Sequence, residues 1–112
     1  MNTNKQKKII KNYFKFFNEK NTLKLASLFA NNVILKDWNI DVTGKKKVII
    51  ANKKIFDLNH NIKVKIKKVF FVEKNIFAIL DINLNSKKKI KVVDHITLNR
   101  SNLITKIRAY LG

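Results

Sequence analysis

Of 112 residues only seven are carboxylates, so the places where they fall carry information. Glu19, Asp41, Asp57 and Glu73 fall in turns or at a helix end, where an acid is ordinary. Asp37, Asp81 and Asp94 fall in segments that read as strands. Asp94 has the parity of Val92, Ile96 and Leu98, and Asp37 that of Val33 and Leu35, so both carboxyls point where apolar side chains point. A carboxylate on an apolar face must find a hydrogen-bond partner or keep its proton, because the ionised form is costly to desolvate. Such a group is a candidate for acid–base work. The structural alternative stays open for each: Asp37 as a strand-end residue bonding the next turn, Asp94 as the partner of a backbone amide or a lysine. Tyr13, on the apolar stripe of a helix, is a further donor candidate or a plain core residue.

Other chemistries find less support. His60 and His95 have no acid or cysteine at metal-ligand spacing, so no metal is expected. With only two glycines, Gly44 and Gly112, a glycine-rich phosphate loop is not available, and no cofactor is expected. Ser27, Ser86 and Ser101 fall in a helix and two turns with no histidine placed to serve them.

The elements that must hold Tyr13, Asp37 and Asp94 are legible from periodicity. Ile9, Ile10, Tyr13, Phe14, Phe16 and Phe17 recur as one helical face over residues 5–18. Asn21 or Thr22 caps a second short helix with Leu25, Leu28 and Phe29 as its stripe, ended by Asn31 and Asn32. A strand from Val33 to Asp37 and a turn from Asp41 to Gly44 follow, then a third helix from Lys45 to Leu58 burying Val48, Ile49, Ile55 and Phe56. From Ile62 the period becomes two, and four strands follow in antiparallel succession, with turns at 73–75, 85–89 and 99–102. The order ααβαββββ predicts one α+β domain over residues 1–112, three helices packed on the concave face of a curved antiparallel sheet.

The whole chain resembles ketosteroid isomerase (steroid delta-isomerase), in the SnoaL-like part of the nuclear transport factor 2-like superfamily. The resemblance rests on Tyr13 in the first helix, Asp37 at the end of the first strand and Asp94 in the penultimate strand. It also rests on the stretches NEKNTLKLASLFANNVILKD and VVDHITLNRSNLITKIRAYLG. It implies the superfamily's cone, with Asp37 as the base that moves a proton across a substrate. Tyr13 and a protonated Asp94 would be the donors to the substrate oxygen. The pocket lining it implies is Phe14, Phe17, Phe29, Trp38, Phe56, Leu80, Val92 and Ile96, suited to a small hydrophobic ketone. Trp38 stands where proline is common in the family, a ring able to floor or plug the mouth, and a lysine beside Asp37 would lower its basicity.

The formal charge of +18 is the largest compositional departure. Nearly all of it is lysine, with Arg100 and Arg108 the only arginines, and it accompanies an abundance of Asn and Ile without proline. Those are residues of AT-rich codons, so base composition accounts for the charge, and nucleic acid is not the expected partner. No apolar run approaches the ~20 residues of a membrane span, and residues 1–8 lack a secretory apolar segment. The expectation is a cytoplasmic protein, homodimeric through an outer sheet face bearing Val93, Thr97 and Tyr110. The alternatives are a non-catalytic small-ligand module or a lysine-rich RNA- or anion-binding protein.

Overall fold

A computed structural model describes residues 3–112. Helix α1 (Thr3–Asn18) buries Gln6, Ile10, Tyr13 and Phe14, the side chains that recur on one face at helical spacing. Helix α2 (Thr22–Leu28) starts at Asn21, whose side-chain oxygen accepts from the Lys24 N–H at 3.0 Å. It ends one residue sooner than its apolar stripe suggests. Phe29 is extended (φ −94°, ψ 139°) and opens strand β1 (Phe29–Lys36), so Asn31 and Asn32 lie within the strand instead of ending a helix. They fall where the register between Phe29 and Ile34 shifts, an irregularity that accommodates two exposed polar residues before the regular pairing resumes.

The segment expected as a turn at 41–44 contains a short strand, β2 (Asp41–Thr43), paired antiparallel with β1. Gly44, at φ +100°, then turns the chain into helix α3 (Lys45–Leu58), a conformation that a residue with a Cβ adopts only under strain. Strands β3 (Ile62–Val72), β4 (Asn75–Leu84), β5 (Lys88–Leu98) and β6 (Ile104–Leu111) form the meander. The sheet runs β2-β1-β6-β5-β4-β3. It is mixed, because β1 returns beside β6 in parallel while every other neighbouring pair is antiparallel. Parity along a strand does not report which strand lies beside it, so this pairing was not accessible from the pattern.

Register shifts at Ile66/Lys68 and Thr97/Leu98 bend the long strands, and the sheet curves without closing. Its concave face receives the helices: Ile76, Ala78, Leu80, Val92, Ile96, Ile104 and Ile107 are buried beneath them. The end of α1 is pinned to β3 by Asn18, whose amide donates to Val64 O at 3.0 Å and accepts from Val64 N–H at 2.8 Å. That pairing imitates a neighbouring strand and satisfies part of an otherwise open sheet edge. Among the described residues no helix is long and apolar enough to cross a membrane.

Candidate functional site

Between the helices and the concave face lies a cavity of about 760 Å³, lined by Tyr13, Asp37 and Asp94 together. Its deep wall is apolar, with Leu80, Val92 and Ile107 from the sheet. The mouth lies between the loop after β1 and the outer side of α3, where lining residues Trp38, Ile50 and Leu58 are exposed and Lys47 and Lys54 stand. An apolar interior with a few convergent polar groups is the usual form of a small-molecule site.

Tyr13 projects from the middle of α1 into an aromatic cluster. Its ring meets Phe14 edge-on at 5.0 Å and lies 6.4 Å from Phe17 and 6.3 Å from Phe29. Phe17 in turn meets Phe56 edge-on at 5.0 Å, so the phenol is held by a chain of rings from α1 to α3. Burial, and next the negative charge of Asp94, push the Tyr13 hydroxyl well above its ordinary value. It keeps its proton and is a donor at any physiological pH.

Asp94 comes from β5, opposite Ala78 of β4 and Ala109 of β6. The small flanking residues leave its carboxyl unobstructed while the apolar face around it excludes water. It is 8% exposed, and its pKa is raised from 3.8 to about 7, first by desolvation and second by the charge of Asp37. Below that value it is a neutral acid, able to donate.

Asp37 follows β1 directly and builds the loop that leads to β2. Its Oδ1 accepts from the N–H groups of Asn39 at 2.7 Å and Ile40 at 2.6 Å, and its own N–H donates to Ile40 O at 2.8 Å. These bonds hold the carboxylate by one oxygen, the turn-closing role that strand-end position allows. Oδ2 has no hydrogen bond to protein among the described residues. Among those residues the ion pairs are Lys89–Asp81 at 3.4 Å and Lys67–Asp81 at 3.9 Å, so no lysine is in ion-pair contact with Asp37. Trp38, 45% exposed, stands at the mouth and leaves the cavity open.

Of the other expected lining residues, Phe14, Phe17, Leu80 and Val92 reach the cavity. Phe29, Phe56 and Ile96 do not: they are buried in the core behind it. Apolar parity marks the inner face but does not separate side chains packed against other side chains from those that face open space. His95 lies on the outer face, stacked on Phe77 at 4.4 Å with Nε2 donating to Asn75 Oδ1 at 2.8 Å. Burial, then the charge of Lys106, lower its pKa. Asn52, which lines the cavity from α3, was missed. Its signal was present in the spacing, since Val48, Asn52 and Phe56 recur every four residues on the buried side of that helix.

Comparison with known proteins places the architecture. No family model and no curated protein matches the chain. Solved structures do. An NTF2-like protein of unknown function from Cytophaga hutchinsonii superposes with TM-score 0.80 at 18% identity, covering 93% of this chain and 87% of that one. A candidate ketosteroid isomerase from Kribbella flavida gives 0.83 at 12% identity over 93% and 75%. A candidate SnoaL-like polyketide cyclase from Shewanella denitrificans gives 0.84 at 12% identity over 95% and 89%. The fold is that of the nuclear transport factor 2-like superfamily, the α+β cone that the resemblance implies. At these identities the likeness concerns the scaffold, and a scaffold of this kind hosts several chemistries.

Proposed function

We propose that the protein is a ketosteroid isomerase-like enzyme that moves a proton within a small hydrophobic ketone, without a cofactor. The observation that carries the reading is one cavity lined by a buried acid with pKa about 7, a buried tyrosine and a carboxylate with one unengaged oxygen. Oδ2 of Asp37 removes a proton alpha to the carbonyl, the C–H electron pair forms the enolate C=C bond, and the C=O π pair moves onto the carbonyl oxygen. The Tyr13 hydroxyl and the protonated Asp94 carboxyl donate to that oxygen, and Asp37 returns its proton at another carbon of the conjugated system. Negative charge thus passes from Asp37 to an oxygen met by two donors in a site of low polarity, where such donors act most strongly. A proton shuttle with two donors is a complete apparatus for keto–enol exchange.

A second reading, non-catalytic binding of a small hydrophobic molecule, draws on Asp37 Oδ1, which already closes its own loop. Turnover separates the two. Incubation with a panel of β,γ-unsaturated ketones, followed by conjugated-enone absorbance, is expected to show protein-dependent isomerisation of at least one. Retention of these ketones without any absorbance change would favour the binding module.

We also take the protein to be a homodimer through its outer sheet face. There Ile79 pairs with Val93, Val93 with Tyr110, and Phe70 with Phe77, and Phe70, Ile79 and Tyr110 are exposed. Such a row of apolar side chains across neighbouring strands calls for cover.

A further inference from the structure

Asn52 sits in the middle of α3 and is 2% exposed. Its side-chain Nδ2 has no hydrogen-bond partner among the described residues. A buried amide nitrogen without an acceptor destabilises the fold, whereas a leucine of similar size would fill the same volume without that cost. Abundant asparagine in the composition accounts for Asn residues on the surface and in turns, not for one in the buried stripe between Val48 and Phe56. Position gives the residue a use. Asn52 lines the cavity from α3, which packs on β1, β2 and α2, while Tyr13 reaches it from α1, which packs on α2 and β3. Asn52 and the Tyr13–Asp94 pair therefore line the same cavity from different elements, together with the apolar side chains of Leu80, Val92 and Ile107.

We propose that Asn52 is a second polar anchor of this cavity, its side-chain amide turning to bring the buried Nδ2 to a carbonyl or ether oxygen on the ligand. The natural ligand is then a hydrophobic molecule with two oxygen functions. One is held by Tyr13 and Asp94 and the other, across an apolar body, by Asn52. This rests on the oxygen-holding role given above to the Tyr13–Asp94 pair for the position of the first oxygen. An amide at a second fixed point orients the ring system in the cavity, and it discriminates against ligands with one oxygen because they leave the donor unpaired.

The test uses 2-naphthol, 6-acetyl-2-naphthol and 7-acetyl-2-naphthol, titrated by fluorescence against the parent protein and Asn52→Leu. The phenol supplies the first oxygen and the acetyl carbonyl the second, at two different spans. The parent is expected to bind at least one acetyl compound about ten-fold more tightly than 2-naphthol. Asn52→Leu is expected to bind all three alike and to unfold several degrees higher than the parent. Equal affinity of the parent for all three, binding of none, or an acetyl preference that persists in Asn52→Leu overturns the proposal. Asp94→Ala, titrated alongside, separates the two assignments. Unchanged 2-naphthol affinity in that variant, with the acetyl preference intact in the parent, would remove the oxyanion role and leave the Asn52 contact standing.

Discussion

Replacing Asp94 by Asn should remove a loss of stability that the parent protein suffers at this site as pH rises. In the folded protein Asp94 holds its proton up to about pH 7, whereas an ordinary aspartate releases it near 3.8. Between those values unfolding releases a proton from this position, so rising pH favours the unfolded chain. Each pH unit costs ~1.4 kcal/mol, and across the window the loss is ~4 kcal/mol. Above about pH 7 both states are ionised at Asp94 and its contribution is flat. An asparagine there cannot ionise, so the variant lacks this slope while every other titrating group is retained. Urea unfolding at constant ionic strength from pH 4.5 to 7.5 should show the variant gaining ~3–4 kcal/mol on the parent. Asp37→Asn removes the lesser cause of the raised pKa and should narrow the window without closing it, because burial is the greater. A stability difference between parent and Asp94→Asn that stays constant across this range would refute the claim that Asp94 is a buried neutral acid.

Tyr13→Phe should keep the ring packing and lose one donor, lowering turnover of an accepted enone by roughly 100-fold while shifting the thermal midpoint little; an unaltered rate would remove Tyr13 from the oxygen-holding pair. Sedimentation equilibrium at physiological salt is expected to give a dimer, and Tyr110→Glu, which adds a charge to an exposed position on the outer face, is expected to give the monomer. A parent protein that sediments as a monomer at all concentrations would contradict that assignment.

Local periodicity carried much of this structure. The bounds of α3 and the alternation of β4 and β5, and with them the inward aim of Asp94, follow from side chains that segregate within a single element. What depended on distant partners did not follow. Leu28-Phe29-Ala30 suits a helix end as well as a strand start, and Phe29 is strand because β6 offers Ile104 beside it. The short strand β2 exists because Asp37 closes a tight loop that brings Val42 opposite Leu35. In the site, the Tyr13–Asp37–Asp94 grouping was legible from parity and resemblance. The division of apolar residues between cavity wall and core was not, since Phe14 and Phe29 have the same chemistry and differ only in whether space lies in front of them. Asn52 could have been found by asking why a polar side chain interrupts a buried stripe.

The central claim is that Asp37 is the base, and it is tested most directly by comparing Asp37→Asn with the parent on an accepted β,γ-unsaturated ketone. The substitution keeps the Oδ1 that accepts from the Asn39 and Ile40 N–H groups and replaces Oδ2 by an amide nitrogen that cannot take a proton. Conjugated-enone formation is expected to fall by at least ~1,000-fold, the order that loss of an essential proton-transfer group produces, while affinity for 2-naphthol stays within a few-fold of the parent. An Asp37→Asn protein that isomerises the ketone as fast as the parent would contradict the account and leave the likeness to isomerases as one of fold alone.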